Sequence, residues 1–85
     1  MKTEIEVPDY TPESGLRIEW DYGFDVSVSI TEGEVVIAAN SAGLRSLARL
    51  LLTLSQDGVP VHHHVHLDES NALEDGSSTL ILERK

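Results

Sequence analysis

Residues 40–60 read "NSAGLRSLARLLLTLSQDGVP", and the fold turns on how this stretch is read. Asn40 or Ser41 can cap the free backbone N–H groups of a helix start. Gly58 followed by Pro60 is a strong stop. Between them, Leu44, Leu47, Ala48, Leu51 and Leu54 recur at helical spacing, with Arg45, Arg49, Thr53 and Gln56 on the other side. The spacing predicts a helix over residues 41–57. Leu50 and Leu52 widen its apolar arc, which suits either broad packing on a sheet or an exposed edge for a partner. Gly43 weakens the first turn slightly and lets the helix approach the sheet closely.

On both sides of the helix the period changes from 3.6 to 2. Upstream, Leu16, Ile18, Trp20 and Tyr22 alternate with Arg17, Glu19 and Asp21. After Gly23, Phe24, Val26, Val28 and Ile30 alternate with Asp25, Ser27, Ser29 and Thr31. This pattern predicts two half-buried antiparallel strands, with Trp20 and Tyr22 in the core. Glu32-Gly33 reads as a tight turn. Val35 to Ala39 is apolar on both faces and is expected to be a more central strand. Downstream, Val59, Val61, His63, Val65 and Leu67 alternate with Pro60, His62, His64, His66 and Asp68. A loop over Asn71–Ser78 leads to a last strand, residues 79–84, with Leu80 and Leu82 on one face.

The expected architecture is therefore α+β and two-layered. One mostly antiparallel or mixed sheet of about five strands, in the order β-β-β-α-β-β, packs on a single helix and keeps its other face open to water. The strands before and after the helix would run parallel in that sheet. Residues 1–15 form an arm or linker, with Ile5 and Val7 suited to a short edge strand. Residues 16–39, 59–67 and 79–84 hold the strands. A chain of 85 residues makes one domain.

Composition narrows the function classes. There is no cysteine, which excludes a disulfide framework, a thiolate nucleophile and a Cys-based zinc site. No apolar signal segment is visible at Met1–Glu6, and the run Leu50–Leu52 is too short to cross a membrane, so a cytoplasmic protein is expected. The net charge is −9. Residues 1–34 hold Lys2 and Arg17 against nine carboxylates, a net −7; residues 35–85 hold four basic and six acidic side chains, a net −2. Such a surface repels nucleic-acid phosphates and attracts basic proteins. It also serves solubility alone.

All four histidines lie in "VHHHVHLD", residues 61–68. On a strand, His62, His64 and His66 project to one side in steps of about 7 Å, with Asp68 beyond them. An H-x-H pair can bend two imidazoles onto one ion, and Asp68, Glu19, Asp21 or Asp25 could complete the set for zinc. No distant second ligand pair of recognisable spacing accompanies them. The expectation is therefore no required metal or other cofactor, with adventitious zinc or nickel at the cluster, and His62, His64, His66 and Asp68 as the alternative metal set. The ordinary reading is a solvated strand face whose histidines pair with carboxylates across strands. No catalytic residues are expected: Ser70 and Ser77 sit in a loop without a nucleophile motif, no glycine-rich phosphate loop exists, and so short a chain leaves little room for a deep pocket. His63 reads as a core-edge histidine.

The positions Asn40, Gly43-Leu44, Leu47-Ala48, Leu51, Gly58, His64-Val65-His66-Leu67-Asp68, Leu73, Gly76-Ser77 and Leu80-Ile81-Leu82-Glu83 resemble small immunity proteins of bacterial polymorphic toxin systems, the immunity protein 32 family among them. The resemblance spans residues 34–85. It implies a non-enzymatic protein that binds and blocks a toxin. An acidic inhibitor would suit a basic nuclease toxin, whose active site accepts phosphates.

Three readings follow: a toxin-neutralising binding protein, a small metal-binding or regulatory domain using the histidine face, and an interaction domain that forms homodimers through an open sheet face or edge. The partner-binding candidates are Glu19, Asp21 and Asp25 on an acidic sheet face, with His64, His66 and Asp68. A protein partner is expected, with no nucleic acid and no membrane.

Overall fold

The computed structural model describes residues 1–85. It contains β1 (Val26–Thr31), β2 (Glu34–Ala39), α1 (Ser41–Ser55), β3 (His64–Leu67) and β4 (Leu80–Glu83). The α+β class and the single helix are as expected. The single five-stranded sheet is not. There are two antiparallel two-stranded sheets, β1–β2 and β3–β4. The strands flanking the helix belong to different sheets, so they are not parallel neighbours. The link between the sheets is irregular: the amides of Glu74 and Ser78 donate to the carbonyls of Val26 and Val28 at 2.9 and 2.8 Å.

The expected first strand is also absent. Residues 16–25 carry no strand, and their apolar side chains do not alternate in and out. Leu16, Trp20 and Phe24 pack against the core, while Ile18 and Tyr22 are exposed. Trp20 and Phe24 stack with ring centroids 4.6 Å apart. The turn at Tyr22-Gly23, with Gly23 at φ +77°, redirects the chain before the hairpin begins. A second turn, Glu32-Gly33, joins β1 to β2 with both residues at positive φ, the geometry that matches strand twist in a two-residue hairpin.

The helix begins where the sequence places it. The Asn40 side chain accepts from the Gly43 amide at 2.8 Å, as an N-cap. Its buried stripe is rotated from the expected one. Gly43, Ser46, Leu47, Leu50, Thr53 and Leu54 face inward, and Leu44 and Leu51 face out. Two short polar residues can be buried because they are satisfied locally. The Ser46 and Thr53 hydroxyls donate to the carbonyls of Ala42 and Arg49, each at 2.8 Å. Ser46 Oγ also accepts from the Asp21 amide at 2.8 Å. No buried side-chain polar atom lacks a partner.

The core is one small cluster: Val26 and Val28 of β1, Leu47, Leu50 and Leu54 of α1, Val65 and Leu67 of β3, and Leu73 of the following loop. β2 lies outside it. Expected to be central because it is apolar on both faces, β2 is an edge strand, exposed from Glu34 to Ala38. The helix shares this cluster with β1 and β3 and touches β2 at its end, where Ala39 packs against the core, while the rest of β2 stays bare.

The arm at residues 1–15 forms no strand, and two side chains of the helical region hold its backbone in place. Arg49 Nε donates to the Glu6 carbonyl at 3.2 Å. Gln56 accepts from the Tyr10 amide at 3.0 Å and donates to the Pro8 carbonyl at 2.9 Å.

Candidate partner-binding surface

The candidate residues fall on three separate parts of the chain rather than on one sheet face. Glu19 and Asp21 lie in the irregular segment that packs on α1. Asp21 is not a free carboxylate: Arg49 reaches it at 2.9 Å, with both side chains largely shielded. The same guanidinium donates to the Glu19 carbonyl at 3.2 Å. The Glu19 carboxylate itself stays at the surface, 4.0 Å from an exposed Arg17. Asp25 is exposed at the foot of β1, where its amide donates to the Asn40 side chain at 3.1 Å. Between Glu19 and Asp25, the turn presents a fully exposed Tyr22 ring. Only three carboxylates, those of Glu19, Asp21 and Glu83, have a basic neighbour within ion-pair distance. The other carboxylates have no basic side chain within ion-pair distance, which leaves the surface negative.

The histidines separate as well. A turn at Val61-His62, with His62 at φ +75°, interrupts the expected alternation before β3 starts. His63 is therefore exposed rather than at the core edge, and its ring meets Tyr10 edge-on at 6.1 Å. His64 and His66 do share the outer face of β3, opposite Glu83 and Ile81. Their ring centroids lie 6.4 Å apart. His64 Nδ1 sits 3.2 Å from the His62 carbonyl, and His62 Nδ1 sits 3.4 Å from the Glu83 carboxylate. No group of three or more histidine or acidic side chains converges in a geometry that could hold a metal ion.

Asp68 closes β3 as a turn residue. Its Oδ1 accepts from the Ser70 hydroxyl at 2.7 Å and from the Ser70 amide at 2.9 Å. These bonds, with the hydroxyl bond the stronger influence, hold the carboxyl below the usual aspartate range. Asn71 completes the turn by accepting from the Asp68 amide and donating to the His66 carbonyl. Asp68 thus carries a clear local structural role.

The sequence reading passed over the apolar residues that the hairpin leaves bare: Ile30, Val35, Val36 and Ile37. The available signal was the run Val35–Ala39 beside a helix that can cover only so much sheet. No helix is long and apolar enough to cross a membrane.

Comparison with curated proteins and with solved structures gives no match. The immunity protein 32 family matches residues 34–85, from the first residue of β2 to the end of β4 and beyond. That span includes the helix with its Asn40 cap, the β3–β4 sheet and the Asp68 turn, and by this match over more than half its length the chain belongs to the immunity protein 32 family.

Proposed function

We propose that this protein is a non-enzymatic immunity protein that binds a bacterial toxin domain of basic charge and blocks it. The family match over residues 34–85 is the observation that carries the immunity role. The charge of −9, mostly without internal counter-charges, supports the choice of a basic partner, such as a nuclease whose active site accepts phosphates. Opposite charge speeds the encounter, but it does not select one basic protein among many. Selection needs shape and a few anchors. Tyr22, fully exposed on a turn that lies between Glu19 and Asp25 in the sequence, has the chemistry of such an anchor: a large ring in an acidic segment. His64 and His66 on β3 offer additional hydrogen bonds. Asp21 drops out of the contact set because Arg49 already neutralises it.

Co-expression with the toxin encoded by the neighbouring gene tests this reading. Cells should survive, and the two proteins should co-purify as a complex that weakens with salt. Tyr22→Ala should speed dissociation, whereas Glu19→Gln or Asp25→Asn should slow association and flatten its salt dependence. Cell death equal to that without this protein, together with no complex, would remove the immunity reading.

A further inference from the structure

The β1–β2 hairpin has two outer edges, and only one of them is satisfied. The Asn40 amide donates to the Asp25 carbonyl at 3.1 Å, which makes 25 and 40 a hydrogen-bonded pair. Antiparallel alternation then assigns 27 with 38, 29 with 36 and 31 with 34 as the other bonded pairs. The N–H and C=O groups of Val26, Val28 and Ile30, and of Val35, Ile37 and Ala39, point away from the hairpin. On β1 the outward groups find partners: Val26 and Val28 accept from Glu74 and Ser78, and the Val28 amide donates to Ser77 Oγ at 3.2 Å. On β2 the outward groups of Val35, Ile37 and Ala39 have none.

The side chains at this edge are as unfinished as the backbone. Val26 with Ala39, Val28 with Ile37 and Ile30 with Val35 share one face of the hairpin. Val26 and Val28 are buried, yet Ile30, Val35 and Ile37 on the same face remain 60%, 59% and 42% exposed. Edge strands normally carry a lysine, a proline, a bulge or an inward charge that discourages pairing. β2 has an uninterrupted register and a single charge, Glu34 at its first residue.

We propose that β2 pairs antiparallel with β2 of a second copy of this chain, so that the two hairpins form one continuous sheet. The register identifies the occupant. Two-fold pairing centred on Ile37 sets Val35 opposite Ala39 of the second copy and Ile37 opposite itself, so every outward group in β2 gains a partner. Centring on Val36 would leave Ala39 facing the turn residue Gly33, and centring on Ala38 would set Val35 against the helix start. In the Ile37 register Glu34 faces Asn40 and Val36 faces Ala38. No carboxylate opposes a carboxylate, so this register makes the strand complementary to itself in hydrogen bonding without a like-charge pair along it. The apolar face formed by Ile30, Val35 and Ile37 then continues across the two-fold axis. Strand pairing of this length engages fewer than the roughly 20–30 residues a side of a standard interface, so the dimer is weak. Two chains of charge −9 repel, and salt strengthens their association by screening.

Sedimentation or light-scattering mass across about 1–500 µM, at low and high salt, tests this independently of any toxin. The mass should rise from 9.3 kDa toward twice that value, at lower concentrations when salt is high. Amide exchange at Val35, Ile37 and Ala39 should slow over the same range. Ile37→Glu and Ile37→Lys should each stay monomeric, because like charges then meet on the axis, and an equimolar mixture of the two should dimerise. A mass of one chain under every condition would overturn the proposal and leave the edge to a strand of a different protein. So would variants that dimerise like the parent, or a mixture that does not associate. If a variant fails to fold, the exchange experiment on the unaltered chain decides.

Discussion

Replacing Gly43 by alanine sets two physical effects against each other, and the structure says which prevails. Alanine is the better helix former by about 1 kcal/mol, so secondary-structure propensity alone predicts a gain. Gly43, however, is the point where α1 touches the start of β1. A Cβ built there would sit 2.6 Å from the Asp25 carbonyl, 2.9 Å from Val26 Cγ2 and 3.1 Å from Ala39 Cβ. The Asp25 carbonyl cannot easily retreat, because it accepts from the Asn40 amide at 3.1 Å. Asn40 in turn ties together the Asp25 amide, the Gly43 amide and the Gly23 carbonyl. Val26 is fully buried. Overpacking of this kind costs about 1–3 kcal/mol, and a rigid backbone obstacle places it at the upper end. Less the propensity gain, the net loss is about 1–2 kcal/mol. For a domain of this size that lowers the melting temperature by roughly 5–15 °C. Thermal unfolding followed by far-ultraviolet circular dichroism, at a fixed low protein concentration, measures it. A melting temperature equal to or above that of the parent would refute the close helix–hairpin contact.

Leu50→Ala should cost about 2–5 kcal/mol, since Leu50 is 2% exposed, whereas Leu51→Ala, at 53% exposed, should cost well under 1 kcal/mol; denaturant melts that rank the two equally would contradict the rotated helix face. Asp68 should titrate below an ordinary aspartate, and Ser70→Ala should move its midpoint upward, as read by NMR of the carboxyl carbon. Because the folded-state pKa is the lower one, the turn's contribution to stability is full above the unfolded-state pKa and is lost as pH falls through the folded value, and Ser70→Ala should shrink that acid sensitivity. Chelator treatment of untagged protein should leave its melting temperature unchanged, given the dispersed imidazoles of His62, His64 and His66; a large drop restored by stoichiometric zinc would contradict this.

The parts of the fold legible in sequence are those whose signals are local. The Asn40 cap acts on an amide three residues away, the Glu32-Gly33 turn needs only its own two residues, and the inward pair Leu80 and Leu82 follows from alternation over four. The parts that were misread depend on what lies across from them. The alternation of Leu16 to Tyr22 matches a strand, but no neighbouring strand supplies a ladder, and the Ser46 hydroxyl takes the Asp21 amide instead. The helix stripe was misplaced because a count of apolar residues cannot foresee that Ser46 and Thr53 satisfy their hydroxyls on the preceding turn. Hydrophobicity alone points to a central β2, yet burial is set by what covers a strand. The charged candidates suffered most, because Asp21 looks like any surface carboxylate until Arg49 is brought beside it.

The first third of the chain lies outside the family match, yet identifiable contacts hold it to the rest. The match begins at Glu34, yet β1 supplies Val26 and Val28 to the core, and Trp20 and Phe24 pack against it. Residues 16–31 are thus integral to the fold while lying outside the matched span. The contacts that fix their path read mostly backbone. Arg49 donates to the Glu6 and Glu19 carbonyls, Gln56 engages the Tyr10 amide and the Pro8 carbonyl, and Ser46 takes the Asp21 amide. A carbonyl or amide is presented by nearly any residue, so such contacts dictate the course of the segment and leave most of its side chains free. The exceptions are Asp21, which Arg49 pairs by its carboxylate, and the few apolar residues that reach the core. A segment built in this way can carry a dense, unpaired set of carboxylates and an exposed Tyr22 at no cost to the core, because nothing in its anchoring depends on them.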